Sequence, residues 1–309
     1  MHAIFADPKT DFVFKRIFGS EARKPLLIAL LNHLLELDGD QRILDVQYLT
    51  GEQHVDVAEL KLSIVDVKCT DATGRRFVVE MQVLKVEGFE KLVVYNASKA
   101  YVMQLQEADD YPTLCDVVGV TICNFKLWPD KNSEGRFKVP MLSRWRMQEQ
   151  HSGERGLSQV QYVFLELPKY DAGDSPETLI EKWAYFFREA RNLTVIPPPL
   201  SEGPFRDALE VTRTANFTPA EWEAYERAKM AEQDARGALM IARQEAKAEG
   251  VTEGILEGKR RALLQLLELR DIVLADEDRA RVAACIDLRL LDPWFTKALT
   301  AKTAAEVFS

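Results

Sequence analysis

Apolar and polar positions change period several times along this chain, and each change marks an element. In TDFVFKRIFG, residues 10–19, Phe14, Ile17 and Phe18 recur at helical spacing, with Asp7, Pro8 and Thr10 as start signals and Gly19 as a stop. A short amphipathic helix is predicted there. A second is predicted from about Lys24 to Leu37, ended by DGD. The pattern then turns strand-like in RILDVQYL, AELKLSIVDVKCT and RRFVVEMQVLK. The helical stretch EKLVVYNASKAYVMQLQEA separates these from a fourth strand-like run, LCDVVGVTICNF. Helix, antiparallel strands, helix and strand in that order predict an α/β fold around a sheet of mixed direction.

Between residues 131 and 200 the signal weakens. VQYVFLELPKY reads as a strand, and PETLIEKWAYFFREA as a helix with Pro176 in its first turn. NLTVIPPPLSEGPF is rich in proline and marks an end to the compact domain. The expected division is therefore residues 1–200 and a helical C-terminal region, residues 201–309. That region opens on a capping box, with Thr218 as N-cap, Pro219 first and Glu221 third. Further on, Gly250, Gly254 and Gly258 fall four apart on one helical face. Each weakens a helix, which favours a frayed or hinged stretch over a close-packing face. The last helices form a tail that can pack on the core or on a second copy.

Composition narrows the class. With 309 residues, 47% hydrophobic and 29% charged, the chain can bury one large core or two smaller ones. The apolar run PLLIALLNHLLEL is too short to span a bilayer and is broken by Asn32 and His33. The start, MHAIFADPKTD, lacks a secretory pattern, so the expectation is a cytoplasmic protein with no membrane segment. Cys69, Cys115, Cys123 and Cys285 form no CxxC pair, and no histidine stands near them at ligand spacing. Neither a disulfide frame nor a zinc site is signalled. A net charge of −9 argues against general polyanion binding, so any nucleic-acid contact must come from a local patch.

The candidate chemistry lies in DVKCTDATGRRFVVEMQ, residues 66–82. If the turn is a three-residue loop, Ala72 to Gly74, with the glycine left-handed, Asp71 faces Arg75, Lys68 faces Val78 and Asp66 faces Glu80. Two opposed carboxylates repel, and a divalent cation such as Mg²⁺ is the natural compensation. Gln82 and Lys68 share that face, the first able to position water or phosphate and the second to stabilise developing negative charge. A two-residue turn would instead send Asp66 and Glu80 to opposite faces and leave an ordinary exposed hairpin.

Taken together, TDFVFKRIFG, KLSIVDVKCTDATGRRFVVEMQV, YNASKAYVMQL and YPTLCDVVGVTICNF resemble the PD-(D/E)XK nuclease family transposases, a family of recombination-promoting nucleases. The resemblance is strongest over residues 1–130. It implies a restriction-endonuclease-like core with a helical C-terminal tail, cutting double-stranded DNA with Mg²⁺, or with Mn²⁺ in its place. The motif's acids fall on Asp66 and Glu80, and its lysine position holds Gln82. The E-x-Q form is usual in this family, and Lys68 is a candidate substitute for the lysine. The family's first-helix acid falls on Asp11, as a third metal ligand or simply a helix-start acid. Lys15, Arg16, Arg75 and Arg76 become candidate phosphate contacts, against plain solvation at the hairpin tip. Gln104 and Tyr111 match family positions with no assigned role.

The function expected is a metal-dependent DNA endonuclease of transposase or recombination type, with no ATP and no covalent intermediate. Neither GxSxG nor GxxxxGK[ST] is present. The alternative is a nuclease-fold module that binds DNA or protein with little chemistry. A homodimer through the C-terminal helices would suit an enzyme that cuts two strands.

Overall fold

The computed structural model describes residues 3–50, 52–53, 63–105 and 110–309. The chain divides into two compact units, Met1–Glu232 and Gln233–Ser309.

In the first unit, helix α1 (Asp11–Phe18) buries Val13, Phe14, Ile17 and Phe18 and turns Asp11 and Lys15 away from that face. Helix α2 (Lys24–Leu35) ends two residues earlier than its pattern predicts, because Glu36 adopts a left-handed conformation and caps it. Strands β1 (Val46–Leu49), β2 (Glu52–Gln53) and β3 (Ser63–Ile64) follow. Part of the strand expected in AELKLSIVDVKCT, residues 58–62, lies outside the described residues, as do residues 106–108 of the following predicted helix. Next come β4 (Val67–Asp71), β5 (Arg76–Gln82), helix α3 (Phe89–Val102) and β6 (Val117–Cys123). Then come β7 (Leu142–Trp145), β8 (Val160–Glu166), α4 (Leu179–Glu189) and α5 (Gly203–Thr212).

Among the described residues, six strands form one sheet in the order β1-β4-β5-β6-β8-β7. β1, β4 and β5 pair antiparallel, β5, β6 and β8 pair parallel, and β7 returns antiparallel at the edge. The expected mixed sheet is the observed one. A parallel β5–β6 pair needs a crossover, and α3 supplies it. All seven residues of the central β6 are buried, which is why VVGVTIC is continuously apolar instead of alternating. The short β7 was not foreseen; only four residues long and at the edge, it carries too little pattern.

One face of the sheet carries the main core. Val67, Phe77, Val79, Val120 and Leu165 meet the buried faces of α1, α2, α4 and α5 there. Phe14, Phe18, Trp183 and Phe187 interlock with ring centroids 5.0–6.2 Å apart, which pins α1 against α4. The opposite face packs on α3 through Val78, Val117, Ala97 and Ala100.

Three expectations need correction. Pro176 precedes α4 instead of sitting in its first turn, which Thr178 and Glu181 close with a capping box. The compact unit does not stop at the proline-rich segment, because Leu200, Phe205, Ala208 and Leu209 belong to the main core. The following helix α6 (Pro219–Leu269) runs unbroken through Gly250, Gly254 and Gly258, where a hinge was expected, and no packing atom approaches within 4 Å of where their Cβ atoms would stand. Its capping box between Thr218 and Glu221 forms as the pattern requires.

The second unit comprises the rest of α6 with α7 (Asp276–Ala284), α8 (Leu288–Ala298) and α9 (Ala304–Phe308). It has its own core around Leu263, Leu267, Val282, Leu291 and Trp294. No described helix is long and apolar enough to cross a membrane. All four cysteines are free.

Candidate active site

The β4–β5 hairpin adopts the three-residue turn. Val67 pairs with Val79, Lys68 with Val78, Cys69 with Phe77 and Thr70 with Arg76. Gly74 has φ +85°, and the turn closes through Asp71 N–H to Arg75 O at 3.0 Å. A Cβ at Gly74 would also lie 2.6 Å from Cys115 Sγ, so glycine is required twice over. Asp71 itself secures the loop. Its Oδ1 accepts from Thr73 N–H, Thr73 Oγ1 and Arg75 N–H at 2.9, 2.6 and 3.1 Å.

The register stops at Val67 and Val79, one residue short of Asp66 and Glu80, which continuing it would set across from each other. Asp66 lies at the bend ahead of β4, and its Oδ2 accepts the Met81 N–H at 2.8 Å. Burial pushes the Asp66 carboxyl up to about 6, with the neighbouring Asp11 charge adding to the effect and the Met81 hydrogen bond and Lys15 opposing it. Glu80 is pushed up to about 7, first by burial and then by the charge of Asp66. The two acids are thus held where neither ionises easily.

Helix α1 delivers the third acid. Lys15 Nζ stands 2.6 Å from Asp11 Oδ1 and 3.7 Å from Asp66 Oδ1, so one ammonium bridges helix and hairpin. Burial alone would lower the Lys15 pKa, but Asp11 and then Asp66 outweigh it and leave it raised. Among the described residues no three His, Cys, Asp or Glu side chains stand close enough to form a ready metal cage.

Sequence reasoning missed a contribution from α3. Asn96 is buried and its Nδ2 donates to Glu80 Oε1 at 2.7 Å, while its own Oδ1 is buried with no partner. Lys99, one turn along α3, is buried beside Lys68. The only signal was periodic: in YNASKAYVMQL, Asn96 and Lys99 fall on the face that carries Ala97 and Ala100 into the sheet. Lys68 is 5% exposed, and its pKa is lowered by burial, then by the charges of Arg76 and Lys99.

The remaining candidates are not all drawn in. The Gln82 amide donates to Leu84 O at 2.9 Å and so turns toward the next loop. Arg75 pairs with Asp71 at 3.0 Å and lies over Phe77, committed to the turn. Arg75 and Arg76 sit at the turn end of the hairpin, roughly 17 and 13 Å of strand from Glu80 at about 3.3 Å per residue. Arg16 is also committed: it pairs with Glu221, donates to Val211 O at 3.3 Å and stacks over Phe217. Gln104 has a structural job, bracketing the Cys115 backbone with two hydrogen bonds of 2.8 and 2.9 Å. Tyr111 is 81% exposed.

No curated protein and no solved structure matches the chain significantly. A family model described as PD-(D/E)XK nuclease family transposase matches residues 8–242, which takes in the sheet, α1 to α5, the carboxylate pair and the start of α6. With three quarters of its length under that model and helices flanking a mixed six-stranded sheet, this chain belongs to the PD-(D/E)XK nuclease family transposases, a nuclease and transposase type of restriction-endonuclease-like fold.

Proposed function

We propose that the chain is a divalent-metal-dependent DNA endonuclease whose centre is Asp66 and Glu80, with Asp11 beside them. The observation that carries this reading is the close, partly buried carboxylate pair, with Glu80 raised first by desolvation and then by the charge of Asp66. A pair this poorly stabilised when ionised is the donor set a hard dication suits, since Mg²⁺ takes one or two carboxylates and keeps its remaining positions for water and phosphate. A bound dication would supply the charge that neutralises the phosphodiester and lowers the pKa of attacking water.

The chain's own residues then have distinct tasks. Asn96 orients the Glu80 carboxylate from behind. Lys15 holds Asp11 and Asp66 together and leaves a positive charge where phosphate approaches. Lys68 and Lys99 place buried positive charge on the Glu80 side of the sheet, a substitute for the lysine that the motif lacks at Gln82.

A second reading has one observation in its favour: Gln82 turns its amide to Leu84 O, away from the acids, as in a module that binds DNA with little chemistry. Nicking of supercoiled plasmid in Mg²⁺, Mn²⁺ or EDTA, beside Asp66→Asn and Glu80→Gln, separates the two. Metal-dependent nicking that falls by at least about 100-fold in both variants supports the nuclease. Absence of cutting by the wild type, with DNA still bound, supports the binding module.

A further inference from the structure

A second feature of the first unit lies beside the carboxylates. Between α1 and the first turns of α6 runs an open cleft with a volume of about 640 Å³. Its cationic wall consists of Lys15, Arg16, Arg23 and Arg227, set against the acids Asp11 and Glu221. In a chain of net charge −9, this is a local reversal of sign. Arg16 and Glu221 neutralise each other in the wall. Arg23 donates to Arg16 O at 2.7 Å, which anchors it in the cleft wall, and among the described residues Arg227 is exposed and pairs with the equally exposed Glu223 at 3.1 Å.

The floor is built for close approach. Ala224, Ala228 and Ala231 recur at helical spacing on α6 and line the cleft with small side chains, with Arg227 on the same face. Asp11 and Lys15 belong to its lining, and Lys15 is 3.7 Å from Asp66. The cleft therefore adjoins Asp66 through Lys15.

We propose that this cleft receives the sugar-phosphate backbone of the DNA, with Arg23 and Arg227 contacting phosphates that flank the one presented at Asp66 and Glu80. The proposal rests on the nuclease reading and deepens it. Small side chains admit the backbone, and arginine forks match phosphate oxygens in two-point geometry. Contacts of this kind position DNA without reading its bases, so preference among sequences is not their property.

The test is binding of a fluorescently labelled duplex by the full chain in EDTA, followed by anisotropy across a salt titration. Each lost phosphate contact reduces the slope of log affinity against log salt by about 0.9. Arg227→Gln and Arg23→Gln should each flatten the slope by about that amount and weaken binding similarly for unrelated sequences. Ala231→Glu, an exposed position on the floor, should weaken binding several-fold without touching a cation. Arg136→Gln, a highly exposed arginine away from the cleft, is the control and should change neither. Slopes that stay at the wild-type value in both arginine variants, or a wild type that does not bind duplex, overturn the proposal. If those variants lose slope while the wild type never nicks in Mg²⁺ or Mn²⁺, the cleft stands and the nuclease reading falls. If nicking needs metal and Glu80 but the slopes do not move, the nuclease stands and the cleft falls.

Discussion

Replacing Glu80 with glutamine should stabilise the metal-free protein in alkaline buffer, and the structure sets the size of the effect. The Glu80 carboxyl is raised from 4.5 to about 7 in the folded chain. The folded state therefore binds this proton more tightly than the unfolded state between those values, and stability falls as pH rises through that window. The stabilisation is fully present below about pH 4 and is lost by about pH 8. At about 1.4 kcal/mol per pKa unit, keeping Glu80 ionised costs about 3 kcal/mol above its folded pKa. Glu80→Gln keeps an acceptor for Asn96 and removes the charge facing Asp66. In EDTA at about pH 8.5, the variant should melt on the order of 5–10 °C above wild type, and at or below about pH 4 the two should converge. Tryptophan fluorescence is the suitable probe, since Trp128, Trp145, Trp183 and Trp222, four of the five tryptophans, lie in the first unit. Saturating Mg²⁺ should close most of this gap, because a dication stabilises the ionised pair by about 2.7 kcal/mol at a hundredfold excess over its Kd and has less to bind in the variant. Equal melting curves for wild type and Glu80→Gln across the whole pH range in EDTA would refute the claim that the fold forces these carboxylates together.

Three other outcomes follow from particular contacts. Asn96→Ala should lower metal-dependent cleavage about 10–100-fold, and because Asn96 lowers the Glu80 pKa, the acidic limb of the rate profile should move to higher pH, a shift that simple loss of folded protein would not produce. Glu166→Ala should destabilise the first unit by about 3–5 kcal/mol in urea melts, because it strands a fully buried Lys169 now paired at 2.6 Å and frees the Leu127 N–H. Glu166→Leu with Lys169→Met should recover the part of that loss due to the stranded ammonium, and not the part due to the Leu127 N–H. Gly74→Ala should cost about 1–2 kcal/mol for its positive φ, plus a contact with Cys115 that Cys115→Ala relieves, so a double-mutant cycle should show coupling between the two sites.

Local chemistry carried much of this protein in its sequence. The helical spacing of Phe14, Ile17 and Phe18 and the box of Thr218 with Glu221 each act within a few residues, so pattern alone predicted α1 and the start of α6, while the DATG turn left two hairpin registers open, of which the structure adopts the three-residue one. The pairing of Asp66 with Glu80 was one of two arrangements the turn allowed, since one turn sets the register of the whole hairpin, and the family resemblance favoured it. What the sequence could not show depends on packing between distant segments. Asn96 reaches Glu80 only because α3 crosses over the sheet to link two parallel strands, and no local pattern distinguishes that asparagine from a solvated one. Arg16 looked like a phosphate contact until α5 and α6 closed on α1 and claimed it for Glu221, Val211 and Phe217. The end of the compact unit moved past the prolines because Phe205 and Leu209 find their apolar partners on helices far back in the chain. Sequence narrowed the hairpin to two registers; only tertiary structure decided between them, how deeply the carboxylates are buried, which side chain orients them, and which cations remain open to a ligand.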